Sequence, residues 1–66
     1  MKYDRHIGMY LYRIVTWEDY PRQEKEFTII KRYDDIDCYS DFEDVKGFNK
    51  LEDAINFINK LKATRR

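Results

Sequence analysis

The chain offers few side chains that could do covalent chemistry: one histidine, His6, one cysteine, Cys38, and one serine, Ser40. A nucleophile needs a base within hydrogen-bond reach. His6 and Cys38 could form such a pair only if the fold brought them together. Their ordinary roles are a solvated histidine near the N-terminus and a small, inert core residue on a strand. Gly8 and Gly47 stand alone, whereas a phosphate-cradling loop needs clustered glycines. One Cys and one His cannot supply the usual zinc ligand set. Carboxylates are plentiful enough to test for calcium. A loop begun at Asp35 puts Asp37 at its third position, which fits. Tyr39 then takes the fifth, Ser40 the sixth where Gly is needed, and Lys46 the twelfth where Glu is needed. These residues point to a protein that is not an enzyme and has no cofactor and no metal site.

Binding chemistry is better represented. Tyr10, Tyr12, Arg13 and Lys31 put tyrosines beside cations within two adjacent stretches. Such a sheet face suits a protein interface, where Tyr and Arg are enriched. It could also stack the bases of single-stranded nucleic acid, although a net charge of zero disfavours that partner. Asp34, Asp35 and Asp37 open an acidic block. Residues 1–33 carry a net charge of +2, residues 34–53 of −6 and residues 54–66 of +4. A row of carboxylates can guard a sheet edge against unwanted pairing. It can also enter the basic groove of a nucleic-acid enzyme, as small inhibitors do.

The elements that must position these residues are legible to different degrees. Leu51, Ala54, Ile55, Ile58 and Leu61 recur at spacings of three and four, which predicts a helix over 50–62 with one apolar stripe. Asn49 is placed to cap it with Glu52 at capping-box spacing, and Ala63–Arg66 reads as a frayed tail. Upstream, apolar residues alternate. Ile7, Met9, Leu11, Val15 and Trp17 share one parity, and Tyr10, Tyr12 and Ile14 hold the other. This predicts a long first strand over 7–18, apolar on both faces, with Gly8 marking a bulge or a close approach. Pro21 interrupts the pattern, and a second strand follows over 26–33. Asp34-Asp35 reads as a tight turn. Ile36, Cys38, Ser40 and Phe42 then alternate with polar residues as a third strand over 36–42. Residues 43–48 read as the crossing to the helix, with Gly47 supplying backbone freedom.

The expected fold is therefore α+β: one domain over residues 1–66, a three-stranded antiparallel sheet with a C-terminal helix across one face, β-β-β-α. Its expected core is Leu11, Val15, Trp17, Phe27, Ile29, Phe48, Leu51, Ile55, Ile58 and Leu61. A domain of 66 residues buries only about 60% of its unfolded surface, and this one has no internal disulfide to staple it. An aromatic content of 17% compensates in part, while 39% charged residues limit the core. One helix cannot cover both faces of an apolar first strand, so Tyr10, Tyr12 and Ile14 are left needing cover by a partner protein or a second copy.

No apolar run is long enough for a signal peptide core or a membrane span, and a free cysteine suits a reducing compartment. A cytoplasmic protein with no membrane partner is expected. In size and in its Lys, Asp, Ile, Asn and Tyr usage, the whole chain resembles small accessory proteins of phages and prophages. That likeness of composition implies a module that binds or inhibits a host protein, and it assigns no residue a role.

Overall fold

The computed structural model describes residues 3–64. Four strands, β1 (Tyr3–Ile7), β2 (Tyr10–Val15), β3 (Phe27–Tyr33) and β4 (Glu43–Phe48), precede one helix, α1 (Leu51–Thr64). The strands form one sheet in sequence order, every pair antiparallel. The α+β architecture with a C-terminal helix is as the sequence implies. The strand count and three of the element assignments differ.

The first difference is at Gly8. The expected long strand is two strands folded back as a hairpin, with Ile7 opposite Tyr10 and Gly8-Met9 as the loop. Gly8 has φ of 64°, and it is the one positive-φ residue among those described. A two-residue loop with Gly in its first position is the type II′ pattern, whose twist matches that of the strands. Directly opposed residues share a face, so the loop reverses parity. Tyr3, Arg5 and Ile7 lie on the face of Tyr10, Tyr12 and Ile14, and Leu11, Arg13 and Val15 lie on the other.

The helix covers the first of these faces. Ile7, Ile14, Ile29, Ala54 and Ile58 form the buried cluster, with Tyr3, Tyr12, Phe27, Val45, Phe48 and Leu61 packed around it. Ile14, far from needing an outside cover, is among its fully buried side chains. Burying each such Ile contributes about 1.5–3 kcal/mol. Arg5 ties β1 to the helix, its Nη1 donating to Asn59 Oδ1 at 3.2 Å. At the helix start the Ala54 amide donates to the Lys50 carbonyl. Lys50 is therefore the capping position, and Asn49 stands one residue outside it. The helix runs on to Thr64; Arg65 and Arg66, in the tail expected to fray, lie outside the described residues.

The second difference is the stretch 36–42. It is a connection, with one isolated bridge between Asp34 and Tyr39. Cys38, expected in the core, is exposed. The third strand position falls instead to Glu43–Phe48, whose pairing with β3 bulges between Ile29 and Ile30 to admit Val45. Gly47 sits within this strand, and its φ is not positive. A Cβ there would lie 2.7 Å from Lys25 Cγ, so glycine is there to let the Lys25 stem cross.

The connections supply a third layer. Leu11, Val15 and Ile30 are buried on the face opposite the helix. From the 34–42 side, the Arg13 guanidinium lies 4.9 Å from the Phe42 ring centre, and Arg32 lies 5.3 Å from Phe42 and 5.0 Å from Tyr39. From the 16–26 side, Gln23 Nε2 donates to the carbonyls of Val15 and Glu26. Trp17, expected in the core, caps this loop from outside: it is 50% exposed, and its indole N–H donates to the Gln23 carbonyl. The second face is thus covered in large part by the chain itself, and Tyr12 and Ile14, expected to need an outside cover, pack under the helix instead.

Candidate functional site

Large apolar side chains are left exposed at the two ends of the sheet. Among the described residues, Met9 (55%), Tyr10, Ile36 (92%) and Tyr39 (70%) lie at one end, and Trp17 and Tyr20 at the other. The first group has the richer surroundings. It is built where the Gly8-Met9 loop meets the end of β3. The Asp34 amide donates to the Met9 carbonyl at 2.8 Å, which joins the hairpin loop to the 34–42 connection.

Several side chains of this end are held by neighbours, while the Ile36 side chain is exposed. The Tyr10 ring packs edge-on against Tyr33 at 6.0 Å and tilted against Tyr12 at 6.4 Å. Lys31 Nζ sits 4.7 Å above the Tyr10 ring and 4.0 Å from Glu43. The Tyr33 hydroxyl donates to Asp35 Oδ2 at 3.2 Å and lies 3.5 Å from the Met9 sulfur. The carboxylate of Asp35 disfavours the phenolate, so the Tyr33 pKa is raised; partial burial and the hydrogen bond act in the same direction. Asp35 also fixes the turn. Its Oδ1 accepts from the Ile36 amide at 2.7 Å, and its own amide donates to the Cys38 carbonyl at 2.8 Å. The Ser40 amide donates to the Tyr33 carbonyl, and the Tyr33 amide donates to Ser40 Oγ. Asp34 binds His6 Nε2 at 2.9 Å and lies 3.8 Å from Arg32.

This end gathers Tyr10, Lys31, Asp34, Asp35 and, on the turn itself, Asp37. It does not gather the other expected residues. Tyr12 shares the Tyr10 face but packs against the core. Arg13 is on the opposite face, where its Nε and Nη2 donate to the two carboxylate oxygens of Asp4 at 2.8 and 3.0 Å. That bidentate bond raises the already high Arg13 pKa against the opposing effect of burial. The tyrosine–arginine face is therefore not one surface. The acidic row is not continuous either, because Asp34 and Asp35 spend their carboxylates on His6, Tyr33 and the turn.

Met9, Tyr33, Ile36 and Tyr39 were not legible as site residues. Ile36 had a local signal, an aliphatic residue between Asp35 and Asp37 directly after a predicted turn. Met9 had none, since its exposure follows from the hairpin loop. The arrangement has no nucleophile with a base. His6 is bonded to Asp34 rather than to Cys38, and among the described residues no His, Cys, Asp or Glu side chains gather in a group able to hold a metal ion. Nor is any helix among them long and apolar enough to cross a membrane. What the arrangement can do chemically is present exposed apolar side chains beside polar ones at one end of the sheet, Tyr10 on the helix face and Tyr39 over Arg32 on the other. No protein family, curated protein or solved structure matches this chain.

Proposed function

We propose that this chain is a non-enzymatic protein-interaction module that docks a partner protein on the end of the sheet formed by Met9, Tyr10, Ile36 and Tyr39. One observation carries the reading: four of the six exposed large apolar side chains among the described residues belong to two segments, the hairpin turn and the 34–42 connection, that the hydrogen bond from the Asp34 amide to the Met9 carbonyl joins. Isolated exposed apolar residues are ordinary, whereas a group of them rimmed by polar groups marks an interaction site. Tyr at such a site offers large contact area at low entropic cost, and Met adapts to the partner. Asp34, Asp35, Asp37, His6 and Lys31 form the rim.

The competing readings lose the residues they need. A single-strand binder would use Tyr10, Tyr12, Arg13 and Lys31 on one face, but Arg13 is on the other and Lys31 already occupies the Tyr10 ring. An acidic-edge inhibitor would need free carboxylates at Asp34 and Asp35. The compositional likeness to phage and prophage accessory proteins supports a cytoplasmic role in binding or inhibiting a host protein.

The test is a paired capture experiment in lysate of the native cell. Wild-type protein is compared with an Ile36→Ser/Tyr39→Ser variant of unchanged thermal stability. A partner held by the wild type and lost by the variant is expected. A partner held equally by both, or lost only on Trp17→Ala and Tyr20→Ala substitution, would place docking at the opposite end and overturn the reading.

A further inference from the structure

On the sheet face opposite the helix, the third layer is incomplete. The 16–26 loop and the start of β4 leave an open cleft of about 460 Å³ between them. Its floor is Val15 and Ile30, and Tyr20 and Phe42 contribute to its walls. Clefts of this size with mostly apolar walls and a few polar groups are typical of sites for small molecules. Two charged residues line it, Arg22 on the loop and Asp44 on β4. Neither makes an ion pair or side-chain hydrogen bond with the other described residues, unlike Arg13 and Arg32 on the same sheet and Asp34 and Asp35 in the connection that follows β3.

We propose that this cleft binds a small apolar zwitterion, of the class of aromatic and branched amino acids and their dipeptides. An apolar body would lie against Tyr20, Pro21 and Phe42, above the already covered Val15 and Ile30. A carboxylate would meet Arg22, whose planar guanidinium matches it in geometry, and an ammonium group would meet Asp44. The pairing of signs is what selects the class. A simple anion satisfies Arg22 but faces the Asp44 carboxylate, and a simple cation has the converse problem. An internal segment of a partner protein carries neither terminal charge. The cleft is separate from the Met9–Ile36 end, so this site stands or falls independently of the docking surface.

The protein carries its own reporter. Trp17, the one tryptophan in the chain, donates its indole N–H to the carbonyl of Gln23, a residue of the cleft wall, at 3.1 Å. Titration with phenylalanine and with phenylalanyl-leucine, followed by Trp17 fluorescence and by amide NMR shifts, is the experiment. The controls are phenethylamine, which lacks the carboxylate, 3-phenylpropionate, which lacks the amine, and glycine, which lacks the body. The expected result is saturable binding of phenylalanine, the dipeptide or both, with shifts at Thr28, Ile30 and Asp44. Each single-charge analogue should bind roughly three- to tenfold more weakly. Arg22→Ala and Asp44→Ala change exposed residues and should leave the fold intact, and their effects should cross. The first weakens phenylalanine and phenylpropionate but spares phenethylamine; the second weakens phenylalanine and phenethylamine but spares phenylpropionate. No saturable change with either zwitterion up to about 10 mM, equal binding of zwitterion and analogues, or variants that do not cross would each overturn the proposal.

Discussion

Tyr33 shows how one residue joins three parts of the molecule. Its backbone belongs to β3, its hydroxyl donates to Asp35 of the turn, and the same oxygen touches Met9 of the hairpin loop. The Asp35 carboxylate makes loss of the phenol proton harder, and the pKa is raised for that reason first. The contribution to stability is therefore fully present below the ordinary tyrosine pKa and is lost as pH rises through the raised one. Asp35→Asn removes the charge. It should bring the Tyr33 titration back down toward the ordinary tyrosine value, which ring-carbon NMR shifts read directly; an unchanged titration would mean that Asp35 is not the cause. The aspartates themselves were visible in the sequence as an acidic block. Their individual duties were not, because Asp34 acquires His6, 28 positions away, only through the hairpin.

The elements differ in how local their causes are. The helix stripe of Leu51, Ala54, Ile55, Ile58 and Leu61 is a property of consecutive residues, and it packs as its spacing requires. Ile58 is its centre, and Ile58→Ala should cost about 3 kcal/mol, whereas Trp17→Ala, outside the core, should cost far less. Urea unfolding midpoints compare the two. The hairpin depends on a single backbone state. A Cβ at Gly8 is unfavourable at positive φ, so Gly8→Ala should cost about 1 kcal/mol, and Gly8→Asn, which tolerates that region better, should cost less on the same measurement. The strands were harder to place. A tight turn at Gly8 reverses which alternate residues face the helix, so a correct alternation led to the wrong face for Leu11, Val15, Tyr12 and Ile14. Ile36–Phe42 alternates without being a strand, because Phe42 is held by Arg13 and Arg32 rather than by a ladder. Glu43–Phe48 looks like a linker and is a strand, because its pairing and its bulge come from β3.

At the scale of the whole molecule, the helix covers one face and the connections cover most of the other. The apolar surface left over is pushed to the ends of the sheet. With Leu11, Val15 and Ile30 buried by the chain itself, sedimentation equilibrium should find a monomer at high concentration. A dimer that persists in the Ile36→Ser/Tyr39→Ser variant would mean that a different surface is buried between copies. Those two substitutions should change folding stability by no more than about 0.5 kcal/mol, because neither side chain is buried. The sequence by itself determined the α+β class and the helix with its apolar stripe, whereas it left open which parity of β3 faces that helix. The class and the helix follow from the period of neighbouring residues. Only the tertiary structure decided which face of β2 meets the helix, which aromatic residues remain outside, and which of Tyr10, Tyr12, Arg13 and Lys31 stand together. Those facts depend on pairing between distant segments and on one two-residue turn, and a period cannot encode the point at which the chain reverses.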